Sequence, residues 1–236
     1  MRIDFHTHVL PAVDDGAAHI VEAMEILAQL KMDGIDVVVA TPHLYSERDT
    51  VNTLIKRRDK SFKTLTDVIE ASGAESPEII NGAEVYFEGL KPDWDLSPLC
   101  IGDTDFILLE LPYYRALDDQ LIHELQEFIS SHPFKIIFAH IERYFRFSDK
   151  DMVLKALACG HYGQVNCDSF LSKYSRPAAL ELIEKGLVHV IGSDVHNMVS
   201  RPPFFKEAEF IIRRKLGNRV FNKMMETSRE ILGLQI

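Results

Sequence analysis

The sequence contains little cysteine and no long hydrophobic run. Its three cysteines, Cys100, Cys159 and Cys167, form an odd and unpatterned set, which is typical of reduced thiols in a cytoplasmic protein. Apolar runs such as Val37 to Ala40 are far shorter than the roughly 20 residues that a membrane-spanning helix needs. We expect no secretory leader, because ligand-type residues begin at His6. The sequence therefore predicts a cytoplasmic protein that is not itself a membrane protein.

Basic residues are also scarce. The chain has 26 Lys and Arg against 36 Asp and Glu, which gives a formal net charge of -10. Nucleic-acid-binding proteins usually present a basic face, so this balance argues against a nucleic-acid partner. The 46% hydrophobic content is enough to bury a large core. No linker or change in composition marks a boundary, and we expect a single domain over residues 1–236.

Apolar segments alternate with segments of helical periodicity along the whole chain. The predicted strands cover residues 3–6, 36–41, 78–84, 105–111, 135–140, 162–167 and 188–193, and the predicted helices cover about 17–32, 50–72, 118–131, 149–159, 176–185, 203–216 and 218–232. Strands that are apolar throughout are buried on both faces, as in a parallel sheet covered by helices. The pattern predicts an α/β fold, a distorted (β/α)7 TIM-like barrel.

Histidine and carboxylate residues recur where these strands end. His6 and His8 share one face of the first strand, because alternate residues of a strand point the same way. The candidates at the strand ends are His6, His8, His43, Glu84, Glu110, His140, Asp194 and His196, with Asp15 in the first loop. In a parallel barrel these ends share one mouth, where active sites lie. We expect one polynuclear site there.

The composition of this set indicates metal-dependent hydrolysis. A structural zinc takes four ligands, usually including cysteine, whereas this set is larger and mixes imidazole with carboxylate. It suits two or three divalent ions, with manganese, iron and zinc favoured over magnesium alone. Such ions lower the pKa of water and supply hydroxide at neutral pH.

Two arginines near the same mouth predict a phosphate ester as substrate. Arg143 follows His140 and Arg201 follows His196 in the strand-to-helix loops. The planar guanidinium binds phosphate oxygens in pairs and stabilises charge during phosphoryl transfer. The alternative for Arg143 is a loop salt bridge with Glu142 or Asp149.

Together these motifs resemble one family. The segments that carry the resemblance are His6-Thr7-His8 with Asp14-Asp15-Gly16, Ala40-Thr41-Pro42-His43, Gly82-Ala83-Glu84, Ala139-His140-Ile141-Glu142-Arg143-Tyr144, and Gly192-Ser193-Asp194-Val195-His196 with Arg201-Pro202-Pro203. They resemble the bacterial capsule and exopolysaccharide protein-tyrosine phosphatases of the polymerase-and-histidinol-phosphatase (PHP) superfamily. The resemblance covers nearly the whole chain in the expected order.

The resemblance implies a PHP fold with a three-metal site, typically loaded with manganese. It implies one ion on His6, His8 and Asp194, a second on Glu84, Glu110 and His140, and a third on Asp15, His43 and His196. It leaves Asp14 as a residue that either caps the start of a helix or hydrogen-bonds to a metal ligand. It also implies that the substrate is the phosphotyrosine tail of a membrane-associated bacterial tyrosine kinase that regulates polysaccharide export, with metal-activated hydroxide attacking phosphorus while Arg143 and Arg201 stabilise the phosphate.

Three alternatives can be weighed against this hypothesis. A cysteine-dependent tyrosine phosphatase needs Arg six positions after its Cys, and Phe106, Val165 and Lys173 stand at those positions. That mechanism is excluded. A small-molecule phosphomonoesterase, such as a histidinol phosphatase, would use the same metals. A non-catalytic barrel would lack some of the ligand residues, and this sequence has them all.

Overall fold

The apolar segments form short parallel strands, and the segments with helical periodicity form the helices between them. The structure is a computed structural model that describes residues 1–91 and 93–234. Within these residues the strands are β1 Ile3–Thr7, β2 Val37–Ala40, β3 His43–Leu44, β4 Glu78–Asn81, β5 Glu84–Tyr86, β6 Phe106–Glu110, β7 Lys135–Phe138, β8 Tyr162–Asn166 and β9 Val190–Gly192. The predicted domain range also includes Pro92, Gln235 and Ile236, which lie outside the described residues.

Seven helices separate these strands or follow them in the part of the chain that the structure describes. They are α1 Ile20–Met32, α2 Val51–Ser72, α3 Asp119–Ser131, α4 Lys150–Leu157, α5 Arg176–Glu184, α6 Phe205–Leu216 and α7 Asn218–Leu232. Helix α1 starts later than predicted because His19 caps it, its Nδ1 accepting the amide proton of Glu22 at 3.2 Å. Helix α2 begins with a capping box between Thr50 and Thr53. No helix in the described ranges is long and apolar enough to cross a membrane.

The strands form a curled, distorted parallel barrel. One sheet has the order β1-β2-β4 and the other the order β3-β5-β6-β7-β8-β9, with all neighbours parallel. A parallel bridge between Thr7 and Val195 brings the end of β1 beside the chain that leaves β9. Strand β3 continues the path of β2, and β5 continues that of β4. The nine described strands therefore occupy seven positions around the barrel axis. The predicted barrel fold is confirmed.

One predicted strand is wrong in its continuity. The predicted strand 78–84 is interrupted after β4, and its continuation β5 joins the other sheet. The predicted strand 36–41 corresponds to β2, but the short strand β3 that follows Pro42 in the other sheet was not predicted. Pro42 has no amide proton for the ladder. At Gly82 a Cβ would lie 3.1 Å from the Ile101 side chain, so the chain passes close to its neighbour. As a result His43 and Glu84 begin short strands instead of ending long ones, and they pair with each other in register.

The hydrophobic core has two parts. A larger cluster packs the helices onto the strands. A smaller cluster joins buried residues of β1, β2, β6, β7 and β9 with Ile231 of α7. Strand β1 also contains a register shift between Asp4 and Thr7 against β2. Such bulges re-aim side chains and are common beside active sites, and this one precedes His8 directly.

Candidate metal centre

The structure brings all nine predicted ligand residues to one end of the barrel. The nitrogen and oxygen atoms of eight of them fall into three groups that could each hold a metal ion, namely His6, His8 and Asp194; His8, Asp15, His43 and His196; and His43, Glu84 and Glu110. His140 belongs to none of these groups, and the third group has His43 where the second implied set has His140. Except for Asp15, these residues are buried. The first group equals the first implied set, and the second contains the whole of the third implied set. Their role as ligands stays a prediction.

Four of these side chains converge on one small volume. The Nε2 atoms of His6 and His8 are 3.1 Å apart, and Glu84 Oε2 lies 3.2 Å from the former and 3.4 Å from the latter. Asp194 Oδ1 is 3.3 Å from His8 Nε2. Lone pairs held this close repel one another unless a proton or a cation lies between them. The donor set therefore fits a divalent metal ion.

A chain of amides fixes the orientation of His6. The backbone amide of His140 donates to Gln164 Oε1 at 2.7 Å, which identifies that atom as the oxygen. His6 Nδ1 lies 3.2 Å from the same oxygen and must donate to it, so its Nε2 is free to bind a metal. Gln164 Nε2 then donates to Asn166 Oδ1, and Asn166 Nδ2 donates to Asp194 Oδ2. Both residues belong to β8, from which no ligand was predicted.

His8 is oriented in the same way by Asp14. Its Nδ1 donates to Asp14 Oδ2 at 2.7 Å, and that oxygen also accepts the backbone amide of His43 at 3.0 Å. A Cβ on Gly16 would lie 2.2 Å from the backbone oxygen of His8, so only glycine allows this loop to close over the histidine. Asp14 thus orients a candidate ligand without belonging to the predicted ligand set itself.

Glu84 connects the first group to the rest of the centre. Its Oε2 faces His6 and lies 3.0 Å from His43 Nδ1, while its Oε1 lies 2.9 Å from His140 Nε2. Glu110 Oε1 is 3.3 Å from the same His140 nitrogen. Glu110 Oε2 is buried and has no hydrogen-bond partner among the described residues, as expected of a metal ligand. The position of Glu84 suits a bridging carboxylate.

Asp15 completes the outer part of the centre. Its Oδ1 lies 3.5 Å from His43 Nε2 and 3.4 Å from His196 Nε2. His196 Nδ1 donates to the backbone oxygen of Asp194 at 3.0 Å, which turns Nε2 toward Asp15. The neighbouring imidazole of His196, despite partial burial, lowers the pKa of Asp15 to about 2. Asp15 is therefore a carboxylate at neutral pH.

The buried charges within the centre depend on one another. Burial opposes ionisation of Asp194, but the nearby His6 and Arg143 hold its pKa well below the ordinary value. Burial also opposes protonation of His8, yet the charge and hydrogen bond of Asp14 raise the pKa of His8 well above its ordinary value. The ionised carboxylates thus stabilise the protonated form of a neighbouring imidazole. A divalent cation would displace those protons, as metal binding generally does.

The two predicted phosphate-binding arginines share one carboxylate. Arg143 Nη2 and Arg201 Nη2 donate to Asp194 Oδ2 at 2.7 and 2.6 Å. Their side chains are 28% and 37% exposed, so part of each guanidinium faces solvent. They line a cavity of about 240 Å³ together with Tyr113, Arg146 and Phe147. The alternative pairing of Arg143 with Glu142 or Asp149 is absent from the ion pairs of the described residues.

Two candidate ligands have a backbone conformation that is unusual for their residue type. His140 has φ 31° and Asp194 has φ 54°, both in the left-handed region. Each follows shortly after a strand, β7 or β9. Left-handed conformations at non-glycine residues cost on the order of 1 kcal/mol and cluster at functional sites. A Cβ on Gly192 would lie 2.4 Å from the Cβ of His6, so the turn at Asp194 also packs tightly against the first strand.

Sequence reasoning missed three residues behind the centre. Gln164 and Asn166 form the amide chain described above, and Asp4 is a buried acid whose Oδ1 accepts the Ser193 amide at 2.7 Å. Burial, although opposed by hydrogen bonds with Ser193, raises the pKa of Asp4 to about 7. The available signal was the polar Gln164 and Asn166 within an otherwise apolar strand.

Comparisons with known proteins agree with these observations. The model of the family "Capsular polysaccharide synthesis, CpsB/CapC" matches residues 2–232. Tyrosine-protein phosphatase CpsB of Streptococcus agalactiae serotype V is 28% identical over 98% of both chains, and tyrosine-protein phosphatase YwqE of Bacillus subtilis is 26% identical over 98% of this chain and 91% of its own.

A solved structure shares the fold. It comes from a crystallographic study of YwqE from Bacillus subtilis and CpsB from Streptococcus pneumoniae, described as unique metal-dependent tyrosine phosphatases. The TM-score is 0.84 at 22% identity, with 99% of this chain and 95% of that chain covered. Since the family model spans almost the whole length, the resemblance found in the motifs is confirmed, and the chain belongs to the CpsB/CapC capsular polysaccharide synthesis family.

Proposed function

We propose that the protein is a metal-dependent phosphatase that hydrolyses phosphotyrosine in proteins. The observation that carries this proposal is the shared carboxylate of Asp194. Its Oδ1 faces His6 and His8, and its Oδ2 accepts hydrogen bonds from Arg143 and Arg201. A candidate metal cluster and two phosphate-binding groups therefore meet at one side chain. The relatives named tyrosine-protein phosphatases match nearly the full length of the chain.

The proposed cofactor is two or three divalent ions, manganese first, with iron and zinc as alternatives. The proposed ligands are His6, His8, Asp15, His43, Glu84, Glu110, His140, Asp194 and His196. Imidazole nitrogen mixed with carboxylate oxygen suits these ions. When bound, they would supply an activated water and neutralise the charge of the phosphate.

The proposed catalytic residues are Arg143 and Arg201. Each guanidinium can donate two parallel hydrogen bonds to a phosphate group, and both are aimed by the same carboxylate. Their positive charge would stabilise the negative charge that accumulates on the phosphoryl oxygens during transfer. Asp194 holds the two cations close together, where mutual repulsion would otherwise separate them.

The proposed physiological substrate is the phosphotyrosine tail of a membrane-associated bacterial tyrosine kinase that controls polysaccharide synthesis. This finer assignment follows the family's role in capsule synthesis. We further propose that the protein works in the cytoplasm. Its three cysteines are free thiols, and Cys167 is buried, as is usual in a reducing compartment.

A substrate panel tests the proposed function. The purified protein is stripped with a chelator, reloaded with manganese, iron, zinc or magnesium, and assayed on a phosphotyrosine peptide, its phosphoserine counterpart and histidinol phosphate. We expect the manganese form to turn over the phosphotyrosine peptide best and the stripped form to be inactive. A preference for histidinol phosphate by orders of magnitude, or full activity in excess chelator, would contradict the proposal.

A further inference from the structure

A second cavity opens beside the metal centre. It measures about 300 Å³, and four tyrosines line it, namely Tyr45, Tyr86, Tyr113 and Tyr114. Glu110, a predicted metal ligand, also lines the cavity, which therefore reaches the centre. We call this cavity the tyrosine pocket. Its volume is at the lower end of the range of small-molecule sites, roughly 300 to 1,000 Å³.

Two of these tyrosines pack directly on candidate ligands. The ring of Tyr45 lies 4.7 Å from the ring of His43, with an angle of 32° between their planes. The ring of Tyr113 lies 5.9 Å from that of His140 in an edge-on arrangement. A phosphate held at the metal centre would therefore have its ester substituent beside two aromatic rings.

The other two tyrosines are held by a single carboxylate. The Tyr114 hydroxyl donates to Glu88 Oε2 at 2.5 Å, and the Tyr86 hydroxyl lies 2.9 Å from the Tyr114 hydroxyl and 3.2 Å from the same Glu88 oxygen. Arg115 Nη2 donates to Glu88 Oε1 at 2.9 Å and fixes the carboxylate. The Tyr86 ring also packs 5.5 Å from the ring of Tyr45, so the wall is continuous from the rim to the centre.

The two cavities at the mouth differ in character. The cavity of about 240 Å³ contains Arg143, Arg146 and Arg201 and, among the described residues, no carboxylate, and so attracts anions. The tyrosine pocket combines its four rings with one arginine, Arg48, and with the carboxylates of Glu47, Glu88 and Glu110. Tyr113 lines both and separates them. A substrate with a phosphate on one side and an aromatic ring on the other matches this division.

We propose that the tyrosine pocket is the subsite for the phenyl ring of phosphotyrosine, an inference that rests on the proposed function. Rings on the walls can make offset or edge-to-face contacts with a phenyl group, which an alkyl phosphate cannot form. Glu88 is a positioning residue, because it contacts Tyr86 and Tyr114 and holds them as the outer wall. The pocket thereby selects aryl over alkyl phosphates.

The test compares two small phosphate esters on the metal-loaded full chain. 4-Methylphenyl phosphate fills the pocket, and ethyl phosphate leaves it empty. We expect Tyr86→Ala to raise KM for the aryl ester about three- to tenfold, which corresponds to the loss of one aromatic contact, with kcat and the KM for ethyl phosphate within about twofold of wild type. Tyr174→Ala is the matched control, since Tyr174 is 83% exposed and lies outside both cavities.

Glu88 variants test the positioning role. Glu88→Ala should raise KM for the aryl ester about twofold to fivefold, somewhat less than Tyr86→Ala, because the rings remain but are no longer held in place. Glu88→Gln keeps an oxygen that accepts the Tyr114 hydroxyl and should restore part of the loss. Thermal unfolding of each variant identifies any that fail to fold.

The outcomes separate this inference from the proposed function. Equal changes for the aryl and alkyl esters in folded variants, or no change for either, would overturn the assignment of the pocket while phosphotyrosine hydrolysis stands. Preferred turnover of histidinol phosphate that Tyr86→Ala removes would assign the pocket to an imidazole instead. A wild-type protein that cannot hydrolyse the phosphotyrosine peptide with any metal would remove the proposed function itself.

Discussion

Histidines at the two ends of the barrel have opposite hydrogen-bonding roles. At the amino ends of the strands, His161 Nδ1 accepts the Ile136 amide and His189 Nδ1 accepts the Gly163 amide, each at 3.1 Å. At the mouth, His8 Nδ1 donates to the Asp14 carboxylate and presents Nε2 to further carboxylates. The same side chain is thus a structural acceptor where its neighbours are amide protons and a candidate ligand where they are carboxylates.

The pKa values of His189 and His140 shift in opposite directions. Burial lowers the pKa of His189, which therefore stays neutral and keeps its lone pair for the backbone. At the mouth, burial and Arg143 oppose protonation of His140, yet hydrogen bonds with Glu110 and Glu84 raise its pKa to about 9. Burial opposes protonation of both His189 and His140, so it does not explain why their pKa values shift in opposite directions. The charge of the neighbouring groups does.

The largest expected effect comes from removing a histidine at the mouth of the barrel, with a histidine at the opposite end as the control. His6→Ala should lower phosphotyrosine hydrolysis by more than about 100-fold, because even partners outside the ligand shell cost 10- to 100-fold when removed. His189→Ala, the matched control, should keep kcat/KM within about twofold of wild type and lose only stability. Metal content and steady-state kinetics measure both. Retention of metal and activity by His6→Ala would remove it from the ligand set.

A somewhat smaller effect is expected at the arginines of the mouth. Arg201→Ala should lower kcat/KM by about 100-fold, the usual cost of losing one donor to a developing anion. Arg201→Lys should recover only part of this, because lysine has charge but no planar fork. Arg213→Ala, which removes an ion pair with Glu209 elsewhere in the fold, is the control. Normal turnover by Arg201→Ala would exclude Arg201 from the phosphate site.

Gln164 tests whether the amide chain on β8 contributes to metal binding. Gln164→Ala removes the acceptor that orients His6 and the donor to Asn166. We expect metal affinity to fall about 10- to 100-fold, measured by calorimetric titration of manganese into the stripped protein. Gln120→Ala on the exposed surface of α3 serves as the control. Unchanged affinity in Gln164→Ala would show that His6 needs no such support.

The smallest effect is a pH-dependent change in stability at the opposite end. Because burial lowers the pKa of His189 in the folded state, the unfolded chain binds its proton more readily. The stability contributed by neutral His189 is present above the unfolded pKa of about 6.5 and decreases as the pH falls below it. His189→Gln, whose amide oxygen can still accept the Gly163 proton, should make stability depend less on pH between pH 5 and pH 8. Chemical denaturation at pH 5 and pH 8 measures it, and identical pH profiles would contradict the assignment.

The sequence was sufficient to predict the barrel and the residues at its mouth. Apolar strand patterns and helical periodicity are local properties, and helix α7 has the predicted bounds. The break at Gly82 was missed, because an interrupted strand and a continuous one have the same apolar pattern, and the two-residue strand β3 after Pro42 was missed because it is too short to show a pattern.

The parts that were missed depend on contacts between distant segments. The ion pair of Arg143 with Asp194 joins the loops after β7 and β9, and local spacing favoured nearer partners for Arg143. The amide chain through Gln164 crosses from β8 to β1 in the same way. Sequence spacing identifies which residue types are available, but hydrogen-bond partners are decided by the packing of whole elements.

The contact between β1 and the end of β9 determines when the candidate metal centre can form. Asp4 accepts the Ser193 amide across 189 residues of sequence, and the Asp194 amide donates to the His6 backbone oxygen at 2.8 Å. Chains are synthesised from the amino terminus at about 5 to 20 residues per second. His6 and His8 are therefore synthesised roughly ten seconds or more before Asp194. A chain that ends just before Asp194 therefore has seven of the nine candidate ligands but lacks the carboxylate that pairs with the arginines. Catalytic competence is acquired last, only after the closing strand has joined the first.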